Sequence, residues 1–244
     1  ILVVPPAAGA APSENGTLTL DADNAVIAAT QVTIANGVLG LSSMAPFETN
    51  RTIKLTITTP NASSLRFVQN FGIGDLVVGP GFSPPDFSTS ATSIGQVLVY
   101  NITTPQLRVV SNGATTVFVS GTITDARLEV GGTSKVYLAG AVSGAVNMQA
   151  GGITTTYIQG TPTTRIIGSA EGLAKVLYTD GSCSTPSAAF PGFNIFGDPC
   201  TKVNTPPPTF TPAWTCGILV DGRSECSAGS TTPENVSVEN APQG

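Results

Sequence analysis

Residues 107–181 read LRVVSNGATTVFVSG TITDARLEVGGTSKVYLAG AVSGAVNMQAGGITTTYIQG TPTTRIIGSAEGLAKVLYTDG, and their spacing decides the fold. Glycines recur at Gly113, Gly132, Gly152 and Gly172, at intervals of 19, 20 and 20 residues. Four residues after each glycine stand Val117, Val136, Thr156 and Val176, and six after stand Val119, Leu138, Ile158 and Tyr178. Six residues before stand Leu107, Ala126, Val146 and Ile166, and four before stand Val109, Leu128, Met148 and Gly168. Each set is apolar or small and alternates at period 2, which is the signature of a strand with one buried face. A single unit of two short strands cannot bury that face alone. Stacked units can, with each strand pairing in parallel with its copy above and below. The spacing therefore predicts four stacked turns of a β-solenoid. Gly121, Gly140, Gly160 and Gly181 are expected to close the second corner at positive φ, where glycine carries no steric penalty.

Between the inward positions lie Phe118, Tyr137, Tyr157 and Leu177, which parity places on the outside. Stacked strands sit ~4.8 Å apart, so the three aromatic residues should form a ladder. Three readings fit such a face: a cover from elsewhere in the chain, a subunit contact, or a sugar-stacking surface.

Outside the repeat, residues 51–58 (RTIKLTIT), 65–68, 75–78 and 96–103 (QVLVYNIT) read as strands, with further candidates at 17–21 and 31–35. Residues 79–94 (GPGFSPPDFSTSATSI) read as a loop from their Pro, Gly and Ser content. No amphipathic helix of useful length is visible. Beyond residue 179 a Gly/Pro/Ser-rich segment runs to Cys200, and residues 205–211 (TPPPTFT) read as polyproline II. Trp214 follows, and residues 235–238 suggest a short last strand. The expected organisation is an N-terminal arm at 1–16, a β-helix at 17–181 and a disulfide- and Pro-rich extension at 182–244.

The composition narrows the function. Charged residues make up 10% of the 244, against roughly 25% in an ordinary soluble domain. The net charge of −5 and the absence of a basic stripe argue against nucleic acid and anionic membranes as partners. No apolar run reaches the ~20 residues of a membrane helix. Ile1-Leu-Val-Val4 followed by a Pro/Ala run lacks the basic start of a signal peptide and is read as a processed N-terminus. Cys183, Cys200, Cys216 and Cys226 show no C-x-x-C knuckle and there is no histidine, so two disulfides are expected rather than zinc. Three pairings are open; 183–200 with 216–226 is favoured because short loops close most easily. Disulfides point to an oxidising compartment. Asn15, Asn50, Asn61, Asn101 and Asn235 stand in N-glycosylation acceptor triplets. Pro206, Pro207, Pro208 and Thr209 are candidates for hydroxylation and O-glycosylation.

Catalytic chemistry has little to stand on. A triad of the Ser-His-Asp or Cys-His kind is impossible without histidine. Glycosidase-type carboxylate pairs stay open, since many β-helix proteins cleave polysaccharides, but the 15 acidic residues are scattered and those within the repeats do not recur in one column. Arg108 and Arg127 stack outward and read as a solvated face. The turns SNG, VGG, AGG and AEG lack the aspartates of a calcium solenoid. No cofactor or metal is expected.

The order IKLTITTP…LRFV…GIGDLVV…LRVVSNGATTVFVSG…ARLEVGGTSKVYLAG…VNMQAGGITTTYIQG resembles the putative auto-transporter adhesin head domain, or GIN domain, over roughly residues 17–181. That resemblance implies a right-handed parallel β-helix and a surface or adhesin-like role, and it supplies no catalytic motif. The Cys-bearing extension departs from the family pattern. Taken together, the expectation is a non-enzymatic, secreted, glycosylated subunit of a filament or surface layer, a homo-polymer joined through its terminal arms. The alternative is a carbohydrate-binding adhesin or polysaccharide-active enzyme that uses Phe118, Tyr137, Tyr157 and Trp214.

Overall fold

The computed structural model describes residues 1–7, 9–10, 15–49, 53–185 and 198–210. Two compact units emerge: Ile1–Gly16 with Thr58–Pro212, and a second that includes Thr17–Ile57. The first unit takes in the N-terminal arm and residues on both sides of position 181.

In chain order the elements are β1 (Leu2–Val4), β2 (Thr17–Asp21), the short helix α1 (Asn24–Ala29), β3 (Thr30–Ala35), β4 (Val38–Ser43) and β5 (Lys54–Thr58). There follow β6 (Phe67–Asn70), β7 (Leu76–Val78), β8 (Asp86–Ala91), β9 (Gln96–Ser111), β10 (Thr116–Val130), β11 (Lys135–Val142) and β12 (Ala145–Ala150). The last are β13 (Thr155–Gly160), β14 (Arg165–Ala170), β15 (Lys175–Tyr178), β16 (Ser182–Ser184) and β17 (Cys200–Lys202).

The first unit is the predicted parallel solenoid, with six turns rather than four. One face stacks β7, β9, β10, β11, β13 and β15, each paired in parallel with the next. A second face stacks β6, β8, the latter halves of β9 and β10, then β12, β14 and β16. Between them a short third side pairs Ile102, Gly121 and Ala141 with their neighbours. The predicted register holds residue for residue: Val117 lies on Val136, Val136 on Thr156 and Thr156 on Val176.

The core is these inward columns. Val97, Val117, Val136 and Val176 are fully buried, as are Val99, Val119, Leu138 and Ile158 on the same face and Ile102, Ile123 and Val142 on the short side. Each large aliphatic so buried contributes about 1.5–3 kcal/mol against exposure. At the glycine corner the core turns polar: Ser111 and Thr115 hydroxyls lie 2.6 Å apart, and Thr115 and Ser134 lie 3.2 Å apart. Hydroxyls that bond to their own copies one turn away satisfy buried donors without charge.

Two expectations need correction. Residues 79–94 are not wholly a loop, because β8 pairs with β6 and β9 and buries Phe87, Thr89 and Ala91. Its outward residues are Ser and Asp, so the Pro/Ser content that signals a loop here marks a strand with a solvated outer face. Positive φ occurs at Gly121 and Gly181 but not at Gly140 or Gly160. Those two are glycine for lack of room: a Cβ on Gly140 would collide with the Gly121 carbonyl, and one on Gly160 would stand 2.5 Å from the Asp180 carbonyl.

Cys183 and Cys200 form a disulfide. Cys183 pairs with Ile166 and Cys200 with Val176, so both thiols continue inward core columns. The staple closes the C-terminal end of the solenoid, where a further turn would otherwise be needed to cover Ile166 and Val176. Cys216 and Cys226 lie outside the described residues.

In the second unit β2 and β5 are neighbours, and β3 and β4 form a hairpin around Asn36 and Gly37. Both turn residues have positive φ, as an Asn-Gly hairpin turn requires. The small core of this unit holds Leu18, Leu20, Val26, Ala29 and Leu55.

Candidate functional site

The outward column forms as expected: Leu98 lies on Phe118, Phe118 on Tyr137, Tyr137 on Tyr157 and Tyr157 on Leu177. The face is not bare. After β17 the chain turns back and residues 205–210 cross it as a strap. The Phe210 ring sits 5.2 Å from Phe118 and 5.1 Å from Tyr137, both tilted, a geometry aromatic pairs favour. Tyr100, one turn further, packs on Phe118 at 5.6 Å, and its hydroxyl donates to the Phe210 carbonyl at 2.7 Å. At the other end the Tyr157 hydroxyl donates to the Thr205 carbonyl. Phe118 and Tyr157 are both 4% exposed. Of the three readings the sequence left open, the structure shows a cover from the same chain.

The strap has its own logic. Proline lacks an N–H and holds φ near −65°, so residues 206–208 have no donor of their own for a ladder. They present carbonyls and ring edges instead. Pro207 is buried while Pro206, Pro208 and Thr209 are exposed. A cavity of about 290 Å³ remains between Tyr100, Ser120, Ala139 and Gln159 on the solenoid and Pro206 and Pro207 on the strap. Burial raises the pKa of Tyr100, Tyr137 and Tyr157 above the ordinary phenol value; at Tyr157 the bond to Thr205 partly opposes this.

Other candidates disperse. Asn15, Asn61 and Asn101 are exposed. The Asn61 Oδ1 accepts from the Ser63 N–H at 3.1 Å and the Ser63 hydroxyl at 2.9 Å, so this triplet is closed into a turn. Asn101 holds a φ of 47° at a solenoid corner. Asn50, Asn235 and Trp214 lie outside the described residues. Arg108 and Arg127 share Glu129, at 3.1 and 3.2 Å, on the solvated outer face. Asp125 is used structurally: it accepts from the Ala145 N–H at 2.7 Å and from Gln106 at 3.2 Å. Among the described residues no cluster of three potential metal ligands occurs, and no helix is long and apolar enough to cross a membrane.

Sequence reasoning missed Tyr100 and Phe210. Tyr100 lies within the bulge that shifts register between Val99 and Ile102, outside the four aligned repeats. Phe210 carried a usable signal, since Pro207 and Phe210 stand three residues apart, the period of a polyproline helix.

A parallel solenoid whose aromatic outer face is crossed by a strap from the same chain defines the class of fold. The chain belongs to the putative auto-transporter adhesin, head GIN domain family, which it matches over residues 11–181. Its structure is similar to that of a putative adhesin from Bacteroides fragilis, with a TM-score of 0.56 over 76% of this chain and 81% of that one. The two are 19% identical, so the likeness is one of fold. No curated protein matches the chain.

Proposed function

We propose that the protein is a non-catalytic, extracellular structural subunit that assembles with copies of itself into a filament or surface layer through its terminal arms. The observation that supports this most is β1. Leu2 and Val3 pair in parallel with Val77 and Val78, and Val3 is 4% exposed. The Val77 and Gly79 N–H groups donate to Ile1 and Val3 carbonyls, each at 2.7 Å. A short apolar strand thus adds in parallel to a solenoid strand more than 70 residues away in sequence. The same position accepts the same strand from a neighbour, which is how strand addition links chains.

The disulfide and the adhesin family both favour a surface or extracellular setting. Exposed Asn15, Asn61 and Asn101 are then the acceptors for glycans. The carbohydrate-binding alternative is weakened, because the ladder it needs is covered by the strap. Deleting residues 1–12 should abolish filaments in negative-stain images of the purified protein; filaments of unchanged length would sink the proposal. Intact-mass analysis of native material should show added sugar at Asn61 and Asn101.

A further inference from the structure

We propose that the outer face bearing Tyr100, Phe118, Tyr137 and Tyr157 is a recognition surface for extended proline-rich peptides, with residues 205–210 as its resident ligand. The contacts are those of peptide recognition rather than of sheet packing. Two phenol hydroxyls, on Tyr157 and Tyr100, donate to main-chain carbonyls at the two ends of the segment. A polyproline II chain leaves its carbonyls without internal partners, so such donors read its backbone. Between them Pro207 is buried and Phe210 is inserted against Phe118 and Tyr137.

The spacing is the stronger argument. Solenoid turns repeat every ~4.8 Å, so two turns advance ~9.6 Å. Polyproline II advances ~3.1 Å per residue with three residues per turn, or ~9.3 Å per turn. The peptide therefore presents the same edge to every second rung. Pro207 and Phe210, the two residues that face inward, are three apart. As ideal polyproline II, Thr205 to Phe210 would cover ~15.5 Å, and from Tyr157 to Tyr100 three rungs at the usual strand spacing cover ~14.4 Å. Two independent repeats agree to about 1 Å over the contact length. The partner this selects is an extended segment with proline at one position and an aromatic residue three further on. Its flanking side chains are free to vary, because Pro206, Pro208 and Thr209 are exposed.

The resident segment competes at the millimolar effective concentration typical of a short tether, so an added peptide binds the wild type weakly. The test uses the full chain and a fluorescent peptide of residues 204–212 (NTPPPTFTP), read by anisotropy. Replacing Pro207→Ala and Phe210→Ala in the protein frees the face and should tighten binding at least tenfold over wild type. Adding Tyr100→Phe and Tyr157→Phe, which keep the rings, should weaken it by about tenfold with circular dichroism unchanged. Phe210→Ala alone is the milder second variant and should rank between wild type and the double variant. No gain on freeing the face, or equal affinity for a scrambled peptide, overturns the proposal. So does displacement of the bound peptide by short β-glucan or chitin oligosaccharides, which would identify the face as a sugar site.

Discussion

A methyl group on Gly140 would run into the Gly121 carbonyl beneath it, whereas one on Gly151 would meet nothing within 4 Å. The two positions look alike in sequence and differ only in what is stacked below. Gly140→Ala should destabilise by about 2–4 kcal/mol, and Gly151→Ala should fall within about 0.5 kcal/mol of wild type, both read by urea unfolding. At the same scale the ladder tyrosines set an alkaline limit. Burial raises their pKa above the ordinary phenol value, so in the folded state they keep their protons longer than in the unfolded chain. Below about pH 10 both states are protonated and this stability is complete; as pH rises further the unfolded chain ionises first and stability is lost. Unfolding midpoints should stay level in this respect up to about pH 10 and then drop, and Tyr100→Phe with Tyr157→Phe should flatten the drop. The ladder residues were legible from parity alone, because alternation is strict wherever one face is buried. Their burial was not, since it depends on a segment that makes no pattern with them in sequence.

Elements were legible where each strand sits on a near-copy of itself. Residues 107–181 declare their register because Val117, Val136 and Val176 occupy one column and every column repeats. β8 was illegible because its inward residues, Phe87, Thr89 and Ala91, are scattered among Pro, Ser and Asp, and only pairing to β6 and β9 makes them a strand. β17 likewise is three residues long, and its place comes from the covalent bond at Cys200 and its pairing to β15. The staple's role follows from its position in the core columns. Replacing both Cys183 and Cys200 by Ala should cost about 3 kcal/mol, a drop of roughly 6–12 °C in the melting midpoint for a domain of this size. Hydrogen exchange should increase first at β14, β15 and β17, because the end they form loses its closure. A uniform change along all six turns would contradict that placement.

At the scale of the molecule, the features that distinguish this chain from a bare repeat lie outside the four aligned units. β1, the Cys183–Cys200 staple and the strap all return to the solenoid from segments whose own sequence does not repeat. Family membership accounts for residues 11–181 and leaves the strap to be explained by its own contacts.

The course of the strap has a mechanical consequence. It starts at β17, at the stapled end, and runs backward over the face, so Phe210 lies beside Tyr100, whose strand is five places from β17 in the stack. Tension applied to the chain beyond residue 210 therefore does not shear the stack. It lifts the strap one contact at a time, first Phe210, then Pro207, then Thr205 from Tyr157. Yielding stops at Cys200, where the disulfide ties the chain to Cys183. The seven residues from Asn204 to Phe210 would release about 25 Å of extended chain before β17 is loaded. Such a molecule gives way a little under a sudden pull and recovers, with its solenoid intact.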